Sequence, residues 1–257
     1  MAEKPGKVYF LADAHLGARF HVDSLAVERR LVRWLDRIQA SAAAIYFLGD
    51  MFDYWYEYKY VVPKGFVRFL GKLAEMADAG VEIHLFTGNH DVWLFDYLSR
   101  ETGAVIHRQP LTTDLLGKRF FLAHGDEVGY QDVSYRFLRA MFRNRFCQRL
   151  YAAVHPRWTF GFALRWSLSS RRDGLTSEKG ERYRRIAAER LADFARSYLQ
   201  HHPQIDFFIF GHLHRMLDLD LGHGARLLIA GDWMQYFSFI EWDGQTLALR
   251  SLSDPDA

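Results

Sequence analysis

The sequence is nearly free of cysteine, with one residue, Cys147, in 257. That excludes an intrachain disulfide and a cysteine-built metal cluster, and it suits a reducing compartment. No run reaches the ~18 apolar residues that a membrane-spanning helix needs. No internal repeat or low-complexity linker is present. The polar stretch Met1–Lys7 runs straight into a strand-like segment, which predicts no signal peptide. A strong net charge is also missing: 33 Lys plus Arg face 31 Asp plus Glu, leaving +2. What is present is a globular composition, with 49% hydrophobic and 25% charged residues. This excludes a disordered chain, and the length suits one large domain or two small ones.

The small net charge conceals an asymmetry. Between Val133 and Arg172 stand nine Arg and no acidic residue, a local +9 that leaves the other 217 residues at −7. The same segment carries nine aromatic residues, from Tyr135 to Trp166. Leu138, Phe142 and Phe146 fall at i, i+4 and i+8, which predicts one apolar helix face, with Arg136, Arg139, Arg143 and Arg145 on other faces. Basic helices with an aromatic face suit a headgroup surface or an amphiphilic anion. They equally suit a lid that packs its apolar face on a core and leaves Arg in water.

Outside this segment the chain alternates strand and helix patterns. Strands are expected at Lys7–Ala12, Ala44–Leu48 and Val81–Thr87. The helix between the first two has Asp23 or Ser24 as cap and Leu31, Trp34, Leu35 and Ile38 as its stripe; the next spans Lys64–Ala79. Parallel βαβ units follow from that order. Later, Leu111–Leu116 and Lys118–Ala123 flank Gly117, Ser177–Gln200 reads as a long helix, and Asp206–Phe210 as a strand. Leu217–Leu221 pairs with Arg226–Ala230, and Phe237–Trp242 with Thr246–Arg250 across Asp243-Gly244. The expected fold is α/β: two packed β-sheets with helices outside, in one domain over 1–257, interrupted by a helical insertion at about 130–175.

Five strands end in residues that bind metals: Asp13-Ala14-His15, Gly49-Asp50, Gly88-Asn89-His90-Asp91, His124-Gly125-Asp126 and Gly211-His212-Leu213-His214. Open α/β sheets place ligands at the carboxyl ends of their strands, so these turns could share one crevice. Each motif alone is ordinary turn chemistry; five in this order are not. Carboxylates, an amide oxygen and imidazoles without thiol suit Mn, Fe, Zn or hydrated Mg. His84, His107, His155, His201, His202 and His223 fit no motif.

This order of motifs resembles the calcineurin-like dinuclear metallophosphoesterases, from Asp13 to about Trp233. The resemblance implies an α/β/β/α metallophosphoesterase sandwich with a helical cap. It implies one metal on Asp13, His15, Asp50 and His214, and a second on Asp50, Asn89, His124 and His212, with Asp50 bridging. Asp53 would be a support. Two divalent ions, Mn²⁺ by analogy, would lower the pKa of a shared water and give a hydroxide that attacks phosphorus. His90 would stabilise the transition state or protonate the leaving oxygen, and Asp91 would orient His90. Asp126 would support His124 or simply serve the turn.

Length, an insertion after His-Gly-Asp, and Ser169-Ser170-Arg171-Arg172 resemble, within that superfamily, the UDP-2,3-diacylglucosamine pyrophosphohydrolase family of lipid A synthesis. That resemblance implies a peripheral-membrane protein on the cytoplasmic face of the inner membrane. It would act on a lipid-linked nucleotide sugar, with Tyr130, Asp132, Arg165, Ser169, Arg171 and Lys179 as substrate contacts. One departure is His90, where well-known members carry Arg. A nuclease or nucleotide phosphodiesterase is the second reading, since Arg with interleaved aromatics also suits single-stranded nucleic acid. The −7 body argues against it. A non-catalytic scaffold is a third, disfavoured because every ligand position is kept.

Overall fold

The computed structural model describes residues 6–18, 23–129, 133–163 and 178–252. Two mixed sheets lie against each other with helices on both outer faces. The first has the order β11-β10-β1-β2-β3-β4, with β1 (Lys7–Leu11), β2 (Ala42–Phe47), β3 (Glu82–Phe86) and β4 (Val105–His107) parallel. The hairpin β10 (Ser238–Trp242) and β11 (Leu247–Ser251) extends it antiparallel along β1. The second sheet has the order β5-β6-β7-β9-β8. In it β6 (Lys118–Leu122), β7 (Phe207–Phe210) and β9 (Ala225–Ala230) are parallel, and β5 (Leu111–Leu115) and β8 (Met216–Gly222) form the antiparallel edges.

Strand alternation distributes the apolar residues over three layers. Val8, Phe10, Tyr46 and Phe86 of the first sheet meet Phe120, Leu122, Ile209 and Leu228 of the second. Tyr9, Leu11, Ile45 and Phe47 point the other way, under α1 (Ser24–Ile38) and α2 (Val67–Asp78). Phe121, Phe208, Phe210 and Leu227 are covered by α7 (Glu178–His201), through Leu191, Ala192 and Ala195. The parallel strands are buried on both faces, which is why they read as continuous apolar runs.

Helix starts differ from the sequence expectation in instructive ways. Asp23 caps α1, accepting from the N–H groups of Leu25 and Ala26, while the Ser24 hydroxyl accepts from the Gly17 N–H. The second helix begins at Val67, not Lys64, because Phe66 before it is left-handed with φ 60° and offers no side-chain cap. Glu28, buried on α1, supplies that cap from a distance: its Oε1 accepts from the N–H groups of Arg68 and Phe69 at 3.0 and 3.1 Å. Two short elements were not legible, α3 (Tyr97–Thr102) and β4.

The described part of the insertion holds three helices, α4 (Val133–Arg143), α5 (Arg145–Ala153) and α6 (residues 156–163). Its face assignment needs correction. Asn144 ends α4 and caps α5 by accepting from Phe146 and Cys147 N–H, so the Leu138–Phe142–Phe146 stripe is broken. Phe142 packs on Trp93, with ring centroids 5.2 Å apart, whereas Phe146 is exposed. Arg139 and Arg143 face inward with Leu138 and Phe142 rather than outward.

His84 and His107, expected to be ordinary, are paired across β3 and β4: Nδ1 of one lies 2.9 Å from Nε2 of the other, between the Tyr46 and Phe86 rings. Burial pushes both below the usual imidazole range, His107 to about 4, with His84 adding to that shift.

Two stability predictions follow from these contacts. Glu28→Ala should lower unfolding free energy by about 1–2 kcal/mol, the loss of a helix cap, and an unchanged urea midpoint would contradict the capping role. Because the His107 pKa is lower folded than unfolded, stability is intact above about pH 6.5 and falls as pH drops from there toward about 4. His107→Gln should flatten that fall by on the order of 1–2 kcal/mol once partial exposure is allowed for, as read by urea titrations at pH 7 and 4.5.

Candidate metal centre

Seven parallel strands send their carboxyl ends to the same edge of the two sheets, and six of them deliver site residues there. β1 leads to Asp13 and His15, β2 to Asp50 and β3 to Asn89, His90 and Asp91. From the second sheet β6 leads to His124, β7 to His212 and His214, and β9 to Asp232. Backbone bonds join these turns: Asp13 N–H to Gly49 O, Gly211 N–H to His124 O, and Trp233 N–H to Asp13 O.

The turns are tight enough to need unusual backbone. Asp13, His15, Asp50, His212 and His214 all lie in the left-handed region, with φ between 42° and 69°. Each such residue costs on the order of 1–3 kcal/mol, which the surrounding structure must outweigh. Two glycines are required by space. A Cβ on Gly88 would strike the Asp50 carboxylate, and one on Gly49 would lie 2.6 Å from His124 Nδ1.

All the residues expected as ligands come together. Asp13, His15 and His214 present donor atoms within 4.8 Å of one another, and so do Asp50, His124 and His212. Asp50 Oδ2 stands 3.7 Å from His15 Nε2 and 3.5 Å from His124 Nε2, so it faces both groups. Asn89 Oδ1 is 3.3 Å from His124 Nε2.

Several features fit a pair of cations. The pairs of donors, at 3.5–3.7 Å, are too far apart for charge-assisted hydrogen bonds of ~2.7–2.9 Å. They approach the roughly 3.0–3.4 Å expected of two atoms each ~2.1 Å from one ion. Asp13 Oδ1 is buried with no hydrogen-bond partner among the described residues. The ring nitrogens are sorted: His124 Nδ1 lies 2.8 Å from Leu48 O and His214 Nδ1 lies 3.3 Å from Asp232 Oδ2, which turns each Nε2 toward the carboxylates. Electrostatics agrees. Burial opposes ionisation of Asp50, yet the imidazoles of His124 and His90 outweigh it and hold the carboxyl well below its usual range. Burial likewise opposes charge on His124, and Asp50 raises it well above the ordinary imidazole value. A field that favours a proton there favours a cation.

Supporting residues are placed differently from expectation. Asp91 does not orient His90. Its carboxylate accepts from the N–H groups of Gly88, Asp50, Met51 and Phe52, at 2.7–3.3 Å. The His90 ring instead rests with Nδ1 3.0 Å from the Asp53 carbonyl oxygen, and the Asp53 carboxylate lies between His15 and His90. Burial, reinforced by Asp50, pushes Asp91 up to about 7. Asp126 does not support His124 by hydrogen bond. It accepts from the Tyr135 hydroxyl at 2.8 Å and lies 3.4 Å from Arg139 Nε, joining the turn after β6 to α4. Burial raises its neighbour Glu127, with Asp126 adding, to about 8, while Asp126 itself is brought to about 2 despite burial by the hydrogen bond from Glu127.

Asp232 was missed by sequence reasoning. Its Oδ1 gathers the N–H groups of Met234, Gln235 and Tyr236, which aims Oδ2 at His214. The signal was there: Gly231-Asp232 after β9 repeats Gly49-Asp50 after β2. Of the expected substrate contacts, Tyr130, Asp132, Arg165, Ser169 and Arg171 lie outside the described residues, and Lys179 is described only as backbone in the first turn of α7.

Comparison with known proteins bears on this geometry. The family model described as calcineurin-like phosphoesterase matches residues 6–216. A protein of Porphyromonas gingivalis named UDP-2,3-diacylglucosamine hydrolase is 53% identical, covering 96% of this chain and 98% of its own length. One of the same name from Ralstonia nicotianae is 31% identical over 89% of this chain and 84% of its own. Among solved structures, the Escherichia coli phosphoesterase Yfce has a TM-score of 0.44 at 15% identity, covering 95% of this chain and 98% of that one.

Removing the carboxylate that faces both groups should remove more than one ligand bond. Asp50→Asn is expected to lower bound divalent metal, read by elemental analysis, by at least one ion per chain, with the circular dichroism spectrum kept. Asp232→Asn should weaken metal affinity about 10- to 100-fold through loss of His214 orientation; wild-type affinity in that variant would show that His214 needs no such support.

Proposed function

The chain belongs to the calcineurin-like phosphoesterase family, and from that premise we infer that it cleaves the diphosphate of UDP-2,3-diacylglucosamine, giving UMP and 2,3-diacylglucosamine 1-phosphate. The observation that carries this reading is a cavity of about 330 Å³ beside the metal centre. Its lining combines polar groups, Asn89, His90, Asp126, Arg139 and Arg143, with apolar ones, Val92 and Trp93 of the body and Leu138, Phe142 and Phe162 of the insertion. A cavity that offers both ionic groups and an apolar wall suits a diphosphate attached to acyl chains, and it fits a nucleic-acid strand poorly. The names carried by the relatives point the same way. We read the chain as one domain whose insertion roofs this cavity.

The chemistry is divided among residues. Asp13, His15, Asp50 and His214, and Asp50, Asn89, His124 and His212, would hold two divalent ions, in our reading Mn²⁺, which would supply Lewis acidity and a nucleophile at neutral pH. The His90 ring, set by the contact of Nδ1 with the Asp53 carbonyl oxygen, holds a proton for the departing oxygen. Asp91 fixes the two turns that carry Asp50 and Asn89. The apolar wall excludes water from the acyl chains and orients the diphosphate toward the polar groups.

Membrane docking belongs to the same proposal. No helix among the described residues is long and apolar enough to cross a bilayer. Phe137, Phe146, Leu150 and Trp158 are all more than half exposed on the insertion, among its arginines. That combination suits a surface contact with the cytoplasmic face of a membrane.

Purified protein with Mn²⁺ should release UMP from UDP-2,3-diacylglucosamine and lose that activity on chelation. Hydrolysis of simple phosphodiesters without UMP release would remove the lipid substrate and leave the family chemistry. Phe146→Ser with Trp158→Ser should reduce sedimentation with anionic vesicles while leaving turnover of a detergent-dispersed substrate intact.

A further inference from the structure

Two arginines of α4 line the cavity, and the first leaves part of its guanidinium without a partner. Arg139 lines the cavity together with Asn89 and His90, and its Nε and Nη2 are buried with no hydrogen-bond partner among the described residues. Its contact with Asp126 is a 3.4 Å approach of Nε, outside good geometry. Arg143 lies one helical turn further on and lines the same cavity. Its Nη1 donates to the carbonyl oxygen of Arg108 at 2.8 Å.

Asp53 and Asp126 are the carboxylates that line this cavity with the two guanidinium groups, and the one contact of Arg139 with them is the long approach to Asp126. Burial, with Arg139 adding, lowers Arg143 below the usual guanidinium range. Like charges in an enclosed site are unfavourable, and a guanidinium is not relieved by losing its proton. An anion of the substrate is the group that relieves it. Asp126 and the Tyr135 hydroxyl fix where the first arginine stands, since both are joined to the same turn.

We propose that Arg139 and Arg143 form a clamp for a phosphoryl oxyanion of the substrate in the cavity that Asn89 and His90 also line, with Asp126 and Tyr135 as positioning residues. The clamp sets specificity: it selects molecules whose phosphate continues into an apolar tail, because the same helix presents Leu138 and Phe142 beyond it. The proposal rests on the reading that phosphoester substrates enter this cavity.

Arg139→Ala is expected to raise KM for UMP release about 10- to 100-fold, the usual effect of losing charge-assisted hydrogen bonds, with a smaller change in kcat. Arg139→Lys keeps the charge and loses the fork, and should recover part of that loss. On bis(p-nitrophenyl) phosphate, which has no tail to bring it under α4, the loss should be at least tenfold smaller. Bound metal should match wild type, which separates a clamp from a collapsed centre. Equal losses on both substrates, or an unchanged KM, would overturn the clamp. Should the wild type release no UMP, the substrate reading fails and the clamp is judged alone, by inhibition of diester hydrolysis by inorganic phosphate. Weaker inhibition in Arg139→Ala and Arg143→Ala supports it, and equal inhibition overturns it. If Arg139→Ala does not fold, Arg139→Lys and Arg143→Ala carry the same measurements.

Discussion

The Asp91 carboxylate accepts hydrogen bonds from four backbone N–H groups, one in the turn after β3 and three in the turn after β2. It therefore ties together the loops that carry Asn89 and Asp50. Asp50 in turn accepts from the His90 N–H at 2.8 Å, which closes the knot in the other direction. Burying a carboxylate is unfavourable unless it is fully hydrogen-bonded, and here the donors are peptide groups that strand ends leave unpaired. Ligand placement on the first sheet depends on this exchange. Without Asp91, Gly88 N–H and three successive N–H groups after β2 would be buried with nothing to bond, and the Asp50 turn would have no reason to keep its left-handed φ of 53°.

A second tie joins the sheets. Asp13 Oδ2 accepts from the His212 N–H and the Asp13 carbonyl from the Trp233 N–H, while Gly211 brings the β7 turn close to Ala12. Five left-handed residues at one sheet edge represent several kcal/mol of backbone strain. The strain is concentrated where the donor atoms converge, and it is sustained by the packed apolar layer between the sheets. That layer, with Phe10, Phe120 and Trp242 fully buried, is the rigid base from which short turns can project side chains to within fractions of an ångström.

Legibility from sequence follows the same physics. The central parallel strands are buried on both faces, so Lys7–Leu11, Glu82–Phe86 and Phe207–Phe210 were visible as apolar runs, and their ends were visible as metal-binding motifs. β4 and the six-residue α3 were not, because so short an element carries no periodicity. Helix edges failed where the cap came from elsewhere: nothing local to Phe66 reveals that Glu28, on another helix, bonds the first N–H groups of α2. Roles inside the site were legible for donor atoms and illegible for their supports. Asp91 stands next to His90 in the chain, which suggested that it orients that ring. In space it turns away to the backbone, and a carbonyl oxygen from residue 53 takes the ring.

The insertion shows the same limit from the other side. Its charge and aromatic content were plain in the composition, but one residue, Asn144, divides by its capping geometry what reads as one amphipathic helix into two. Phe146 follows the break and is exposed. Arg139 and Arg143 precede it, each one residue on from Leu138 and Phe142, and line the cavity with them. The −7 of the body, concentrated partly in carboxylates that suit cations, and the +9 of the insertion therefore meet at a common boundary. Between them is the one place in the described chain where a phosphate with an apolar tail finds cation-binding donors, guanidinium groups and an apolar wall at once.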